Sequence, residues 1–171
     1  MEVNGETVLS LVDGLGPFKE KGIKILTDQG IKDPKPGNWY PQQAWLNAFK
    51  IISDNIGSST LLAIGKTIPR NAKWPPQIDT IEKALASIDV AYHMNHRSGE
   101  IGSYCYESTG EKSGKMICNN PYPSDFDQGI IFAVARKFAP ENTFPSVKLD
   151  ETAPTRKKGA ESCTFIINWT E

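Results

Sequence analysis

The feature that most constrains this chain is a change of hydrophobic period near residue 100. Upstream, apolar residues recur three and four positions apart; downstream they alternate. The first spacing lines one side of a helix, the second one face of a strand. Trp45, Phe49, Ile52 and Ile56 follow the helical spacing between Pro41 and Gly57, a helix with proline near its first turn and glycine at its end. Residues 18–29 read as an earlier helix, with Phe18, Ile23 and Leu26 on one side and Gly30 as the stop. Ser58 to Thr60 cap a short third helix that stops near Pro69. Asp79 or Thr80 caps a fourth that reaches about Arg97, with Ile81, Leu85, Ile88 and Ala91 or Tyr92 inward.

Beyond that point, residues 102–107 and 115–119 read as strands around a turn at 108–114. Pro121-Tyr-Pro123 leads into a helix with Ser124 as N-cap and Asp127 three residues later, as in a capping box. Phe126, Ile130, Ala133 or Val134, and Phe138 form its inner stripe, and Pro140 ends it. Residues 146–150 and 164–169 are two more strands. The order predicts an α+β fold: a helical N-terminal half packed on a four-stranded antiparallel sheet, ending strand-strand-helix-strand-strand. A length of 171 residues suits one domain over 1–171, with 1–14 as a loosely ordered lead.

Charge and composition exclude some roles. A net charge of −1 argues against a nucleic-acid binder that relies on a strong positive field. No run approaches the apolar length of a membrane span, and residues 1–10 carry acids where a secretory signal carries bases. Three cysteines without a CxxC pair fit free thiols in a reducing compartment, the cytoplasm. The P-loop, G-x-S-x-G, H-E-x-x-H and G-x-G-x-x-G motifs are all absent from the sequence.

The element order, together with the ending Gly159-Ala-Glu-Ser-Cys163-Thr-Phe-Ile-Ile-Asn-Trp169, resembles the superfamily of haem-dependent H-NOX nitric oxide sensors, 4-vinyl reductase domains and TRAPP transport subunits. The ending is similar to the last strand of the 4-vinyl reductase group. Trp39-Tyr-Pro41, the helix after it and Gly57 are similar to that group's front half. The resemblance covers roughly residues 15–170 and implies helices and a sheet that enclose a pocket for an apolar or planar molecule.

In H-NOX proteins a histidine on the helix before the sheet ligates haem iron, where this chain carries His93 and His96. The resemblance therefore implies His93 as the metal ligand if haem binds, and haem as the cofactor in that case. His93 lies a turn earlier than His96 and next to Tyr92, so it is expected to be the more buried of the two; His96 stands beside Arg97 at a fraying end. The plainer reading of both is favourable charge at a helix C-terminus. The Tyr-x-Ser-x-Arg run that grips haem propionates in H-NOX proteins is represented only by Tyr104-Cys-Tyr-Glu-Ser108, without the arginine.

Some 4-vinyl reductase sensors bind zinc through Glu-x2-Cys-x7-Cys. Cys163 matches the last position, but Thr155 and Thr152 occupy the others, so no structural zinc is expected. Cys105 and Cys118 fall in adjacent expected strands and could approach each other. Asp125 and Asp127 read as paired carboxylates or, more plainly, as charges favourable to a helix N-terminus. Arg156-Lys-Lys158 reads as a solvated loop, or as a weak anion or partner contact.

Trp39, Tyr40, Trp45, Phe49, Trp74 and Tyr92 all fall in the helical half, either as core or as pocket wall. The ligand-binding set is Trp45, Phe49, Trp74, Tyr92, His93 and Tyr104. The function that follows is a non-catalytic small-molecule sensor or carrier domain for an apolar, aromatic or tetrapyrrole-like ligand, acting as a homodimer or with a separate signalling partner. The alternative is an interaction module resembling TRAPP subunits; a weaker one is a tetrapyrrole-modifying enzyme.

Overall fold

The change of period falls where the sequence places it. The computed structural model describes residues 1–170. Its first half holds β1 (Glu2–Asn4), α1 (Gly5–Gly14), α2 (Lys19–Asp28), β2 (Trp39–Pro41), α3 (Gln42–Ile56), α4 (Ser58–Asn71), α5 (Ile81–Ala86) and α6 (Ile88–Met94). The second half holds β3 (His96–Arg97), β4 (Ser103–Gly110), β5 (Ser113–Asn119), α7 (Ser124–Lys137), β6 (Phe144–Leu149) and β7 (Cys163–Thr170). The protein is α+β, and β4-β5-β7-β6 form a four-stranded sheet in which every neighbour is antiparallel. Among the described residues no helix is long and apolar enough to cross a membrane.

The N-terminal residues are not a loose lead. Val3, Val8 and Leu11 are fully buried, and Val12 and Leu15 nearly so, which is a helical stripe running from 8 to 15. The Asn4 side chain caps α1 by accepting from the Thr7 N–H at 2.9 Å. β1 is the middle strand of a second, small sheet of order β2-β1-β3, which sequence periodicity is too short to reveal.

Other boundaries shift for local reasons. In α2 the inner face is Gly22, Ile25 and Leu26, whereas Ile23 and Phe18 are exposed. α4 does not stop short at Pro69 but carries it in its last turn. The expected fourth helix is interrupted at Ser87, whose hydroxyl bonds back to the Ala84 carbonyl at 2.8 Å, and it ends at Met94. Ser124 is the first residue of α7, not its cap; its hydroxyl meets the Cys163 thiol at 2.9 Å. Cys105 and Cys118 face opposite sides of the sheet, because Cys118 pairs with Tyr104 and Cys105 is exposed. The buried cysteine opposite Cys118 is Cys163 on β7.

The core centres on α4 crossing α7, and two glycines meet at the crossing. A Cβ on Gly65 would lie 2.2 Å from the Phe126 carbonyl oxygen, and one on Gly129 would lie 2.3 Å from that of Leu62. Only hydrogen side chains allow this approach. Helix propensity alone favours alanine at both sites by about 1 kcal/mol. Backbone overlap has the opposite sign and outweighs it. Gly129→Ala and Gly65→Ala are each expected to lower stability in urea by about 1–3 kcal/mol. An unchanged or raised urea midpoint for either would show that the helices can part at no cost.

Candidate functional site

The helices and the sheet leave a cavity of about 400 Å³. Its outer wall is the end of α4 (Ile68, Pro69, Ala72), the segment after it (Trp74, Ile78) and α6 (Ile88, Ala91, Tyr92). Its inner wall is Trp45 from α3, Tyr104 from β4, Tyr122, and Phe126, Ile130 and Val134 from α7. The wall is mostly apolar with few polar groups, the usual make-up of a small-molecule site. Val90 and Met94 on α6, 62% and 73% exposed, continue it outward.

Of the residues expected at a binding site, the structure brings Trp45, Trp74, Tyr92 and Tyr104 to this cavity. Phe49 stands behind Trp45 with ring centroids 4.8 Å apart, and it borders a separate depression around Pro121–Asp125. Trp74 is fixed by its indole N–H, which donates to the Pro69 carbonyl at 2.9 Å, and by its edge contact with Phe138.

The two histidines exchange the positions expected of them. His93 is exposed on the outer side of α6, with Nδ1 2.9 Å from the Asp89 carbonyl, and it does not border the cavity. His96 is buried and does border it. The reason is that the helix ends at Met94, so residues 96 and 97 form a strand against β1, and strand residues alternate sides. Arg97 points out, over the Trp39 ring and onto the Glu2 carboxylate at 2.7 Å; His96 therefore points in.

His96 belongs to a hydrogen-bond chain. The Tyr92 carbonyl accepts from Nδ1–H at 2.8 Å, which leaves the Nε2 lone pair to accept from the Tyr122 hydroxyl. That hydroxyl in turn accepts from the Gln42 amide at 3.0 Å. Burial pushes the His96 pKa down to about 4, against the pull of the Tyr92 carbonyl, so the ring is neutral at pH 7.

A second polar cluster lies behind the cavity. Asp127 is fully buried, and its carboxylate accepts from the Tyr104 hydroxyl at 2.6 Å, from Asn120 and from the Arg156 guanidinium. Arg156 also donates to the Cys118 and Asn120 carbonyls at 2.8 and 2.9 Å. Burial pushes the Asp127 pKa up to about 6, with Arg156 opposing most strongly. Asp125 and Asp127 are thus no carboxylate pair: Asp125 faces Lys157 at the surface. Nor is the basic run simply solvated, since its first member is the clamp on Asp127.

Sequence reasoning missed Tyr122, Gln42, Asp127 and Arg156 as one buried framework. The Pro121-Tyr-Pro123 turn was a usable signal for Tyr122; the Asp127–Arg156 pairing spans 29 residues and leaves none in the sequence. Cys163 meets Ser124, Thr155 and the Arg156 N–H. Among the described residues, no group of three or more His, Cys, Asp or Glu could hold a metal ion.

No protein-family model and no curated protein matches the chain. Solved structures do. An H-NOX protein from S. oneidensis in the Fe(II)NO ligation state is 11% identical, covers 98% of this chain and 99% of its own, and has a TM-score of 0.74. The Fe(II) unliganded H-NOX protein from K. algicida is 19% identical over 98% of this chain and 97% of its own, with a TM-score of 0.68. An oxygen-binding H-NOX domain related to soluble guanylate cyclases, in its oxygen complex, is 14% identical over 98% and 95%, with a TM-score of 0.72. The chain has the fold of these domains.

The two shifted groups have opposite effects on stability as pH changes. Between about pH 6.5 and 4 the unfolded chain carries a proton on His96 that the folded chain lacks, so acidification weakens the fold. Between about pH 6 and 4 the folded chain carries a proton on Asp127 that the unfolded chain lacks, so acidification strengthens it. In melts from pH 7 to 4.5, His96→Gln should gain on the wild type as pH falls, and Asp127→Asn should lose. Differences that do not vary with pH would contradict both assignments.

Proposed function

We propose that the chain, as one domain over 1–171, is a non-catalytic small-molecule sensor or carrier whose cavity takes an apolar, aromatic or tetrapyrrole-like ligand. The observation that carries this reading is the cavity of about 400 Å³ walled by aromatic and aliphatic side chains. Its volume lies within the usual range for such sites. The Fe(II), nitric oxide and oxygen states of the solved neighbours support it. The chemistry of the wall supports a binding role over catalysis: His96 is neutral, and both its nitrogens are bonded within the protein.

Haem fits this cavity by donor type, through His96 and not His93. A neutral imidazole with its lone pair on Nε2 is the form that ligates iron. His96 would give up the Tyr122 hydroxyl to do so, with Tyr92 and Tyr104 beside it. Bound haem would supply an iron centre for a diatomic gas. The exposed Val90 and Met94 favour a reader of the filled state on α6, a second copy or a separate signalling partner; they also favour the second reading, an assembly module. The free cysteines support a cytoplasmic setting.

Native mass spectrometry and absorption spectra of the purified protein test the reading, followed by titration with hemin. A co-purified apolar mass or saturable 1:1 uptake is expected. Ala72→Trp, at an exposed point of the wall, should reduce uptake at least tenfold with unchanged circular dichroism. If the molecule taken up is haem, His96→Ala should abolish binding and His93→Ala should leave it. A protein that arrives empty and takes up neither hemin nor a neutral aromatic would leave the assembly module standing instead.

A further inference from the structure

The cavity wall contains one polar atom that the protein leaves unused. Trp45 is fully buried and borders the cavity, and its indole N–H has no acceptor. The contrast with Trp74 is direct, since that indole bonds to the Pro69 carbonyl. A buried donor without a partner is costly, and native proteins rarely leave one without cause. The neighbouring acceptor is already engaged: the Tyr122 hydroxyl, whose ring centroid lies 5.2 Å from that of Trp45, serves Gln42 and His96.

We propose that the ligand is a neutral, mostly apolar ring compound that carries a hydrogen-bond acceptor, a carbonyl oxygen or ring nitrogen, and places it on the Trp45 indole N–H. This rests on the cavity reading above and specifies its ligand class. Neutrality at the inner end follows from the surroundings. His96 is uncharged, and Arg156 is committed to Asp127 and two carbonyls. An inner carboxylate would be buried without a counter-charge. Lys73, exposed at the rim, is the cation that borders the cavity, so any anionic group belongs at the outer end.

A competing occupant exists. The Oε1 of Gln42, one turn earlier on α3, lacks a donor as well, and a water bridging it to Trp45 would satisfy both. Two probes of nearly equal shape decide the matter: 2-acetylnaphthalene, with a carbonyl, and 2-isopropenylnaphthalene, with a methylene in its place. Calorimetry on the full chain should give about tenfold tighter binding of the ketone, as expected of one hydrogen bond gained. The Trp45 indole N–H resonance should move downfield with the ketone only. In Trp45→Phe the ratio should fall to about one while the alkene affinity holds within about twofold. Equal binding of the two probes by the wild type, or a ketone preference that survives Trp45→Phe, overturns the proposal and leaves the cavity reading intact. Binding of neither probe overturns both. The wild-type comparison and the indole resonance decide the question even if Trp45→Phe does not fold.

Discussion

Backbone contact between α4 and α7 at Gly65 and Gly129 is the constraint on which the other parts depend. Helices normally cross with side chains between them and axes about 8–10 Å apart. Here the Gly65 and Gly129 Cα positions meet with no side chain between them, so the pair acts as a pivot. Further along each helix, side chains return: Ile68 and Ala72 on α4, Ile130 and Val134 on α7. Those are cavity residues, so the opening begins where the glycines end. On the other side of the pivot α7 is tied to the sheet, through Gln128 to the Val147 carbonyl and through Asp127 to Tyr104. A spacer at the crossing would move both attachments at once.

The polar interior divides into groups that are satisfied and groups that are not. Asp127 and Arg156 are bonded on almost every side, and their role is to hold the 150–162 connection and the ends of β4 and β5 against α7. A buried ion pair of this sort adds little net stability, but losing one partner is costly because the other charge remains. The His96, Tyr122 and Gln42 chain is likewise nearly complete. Tyr104 joins the two regions, with its ring on the cavity and its hydroxyl on Asp127. A ligand that pressed on this ring would therefore act on the carboxylate behind it.

Much of the architecture was legible because it depends on local periodicity. The α3 stripe, Trp45, Phe49 and Ile52, is fully buried as its spacing requires, and the order of β4, β5, α7, β6 and β7 follows from the alternation and from the Pro and Gly stops. What was illegible depends on distant partners. β1, β2 and β3 have three, three and two residues, too few to show a period, and each exists because the others pair with it. The exchange of roles between His93 and His96 follows from that sheet: read as helix, residue 96 faces outward; read as strand beside Arg97, it faces inward. Four aromatics of the expected site line the cavity because long apolar stripes place them. Phe49 does not, because a stripe identifies a buried face and not which side of a neighbouring ring holds empty space.

The middle position of β1 has a consequence for how the chain reaches this structure. Glu2 and Val3 pair on one side with Tyr40 and Pro41, and on the other with His96 and Arg97. Closing loops of this length costs entropy before any pairing repays it, and contacts distant in sequence slow folding. The helices between can form early, but the strand at the start of the chain has no complete sheet to join until residue 97 has emerged. His96 reaches its place on the cavity wall through that same pairing. The binding wall is therefore among the last features to assemble, and a helical half that formed without this closure would hold its aromatic residues together yet leave the imidazole outside.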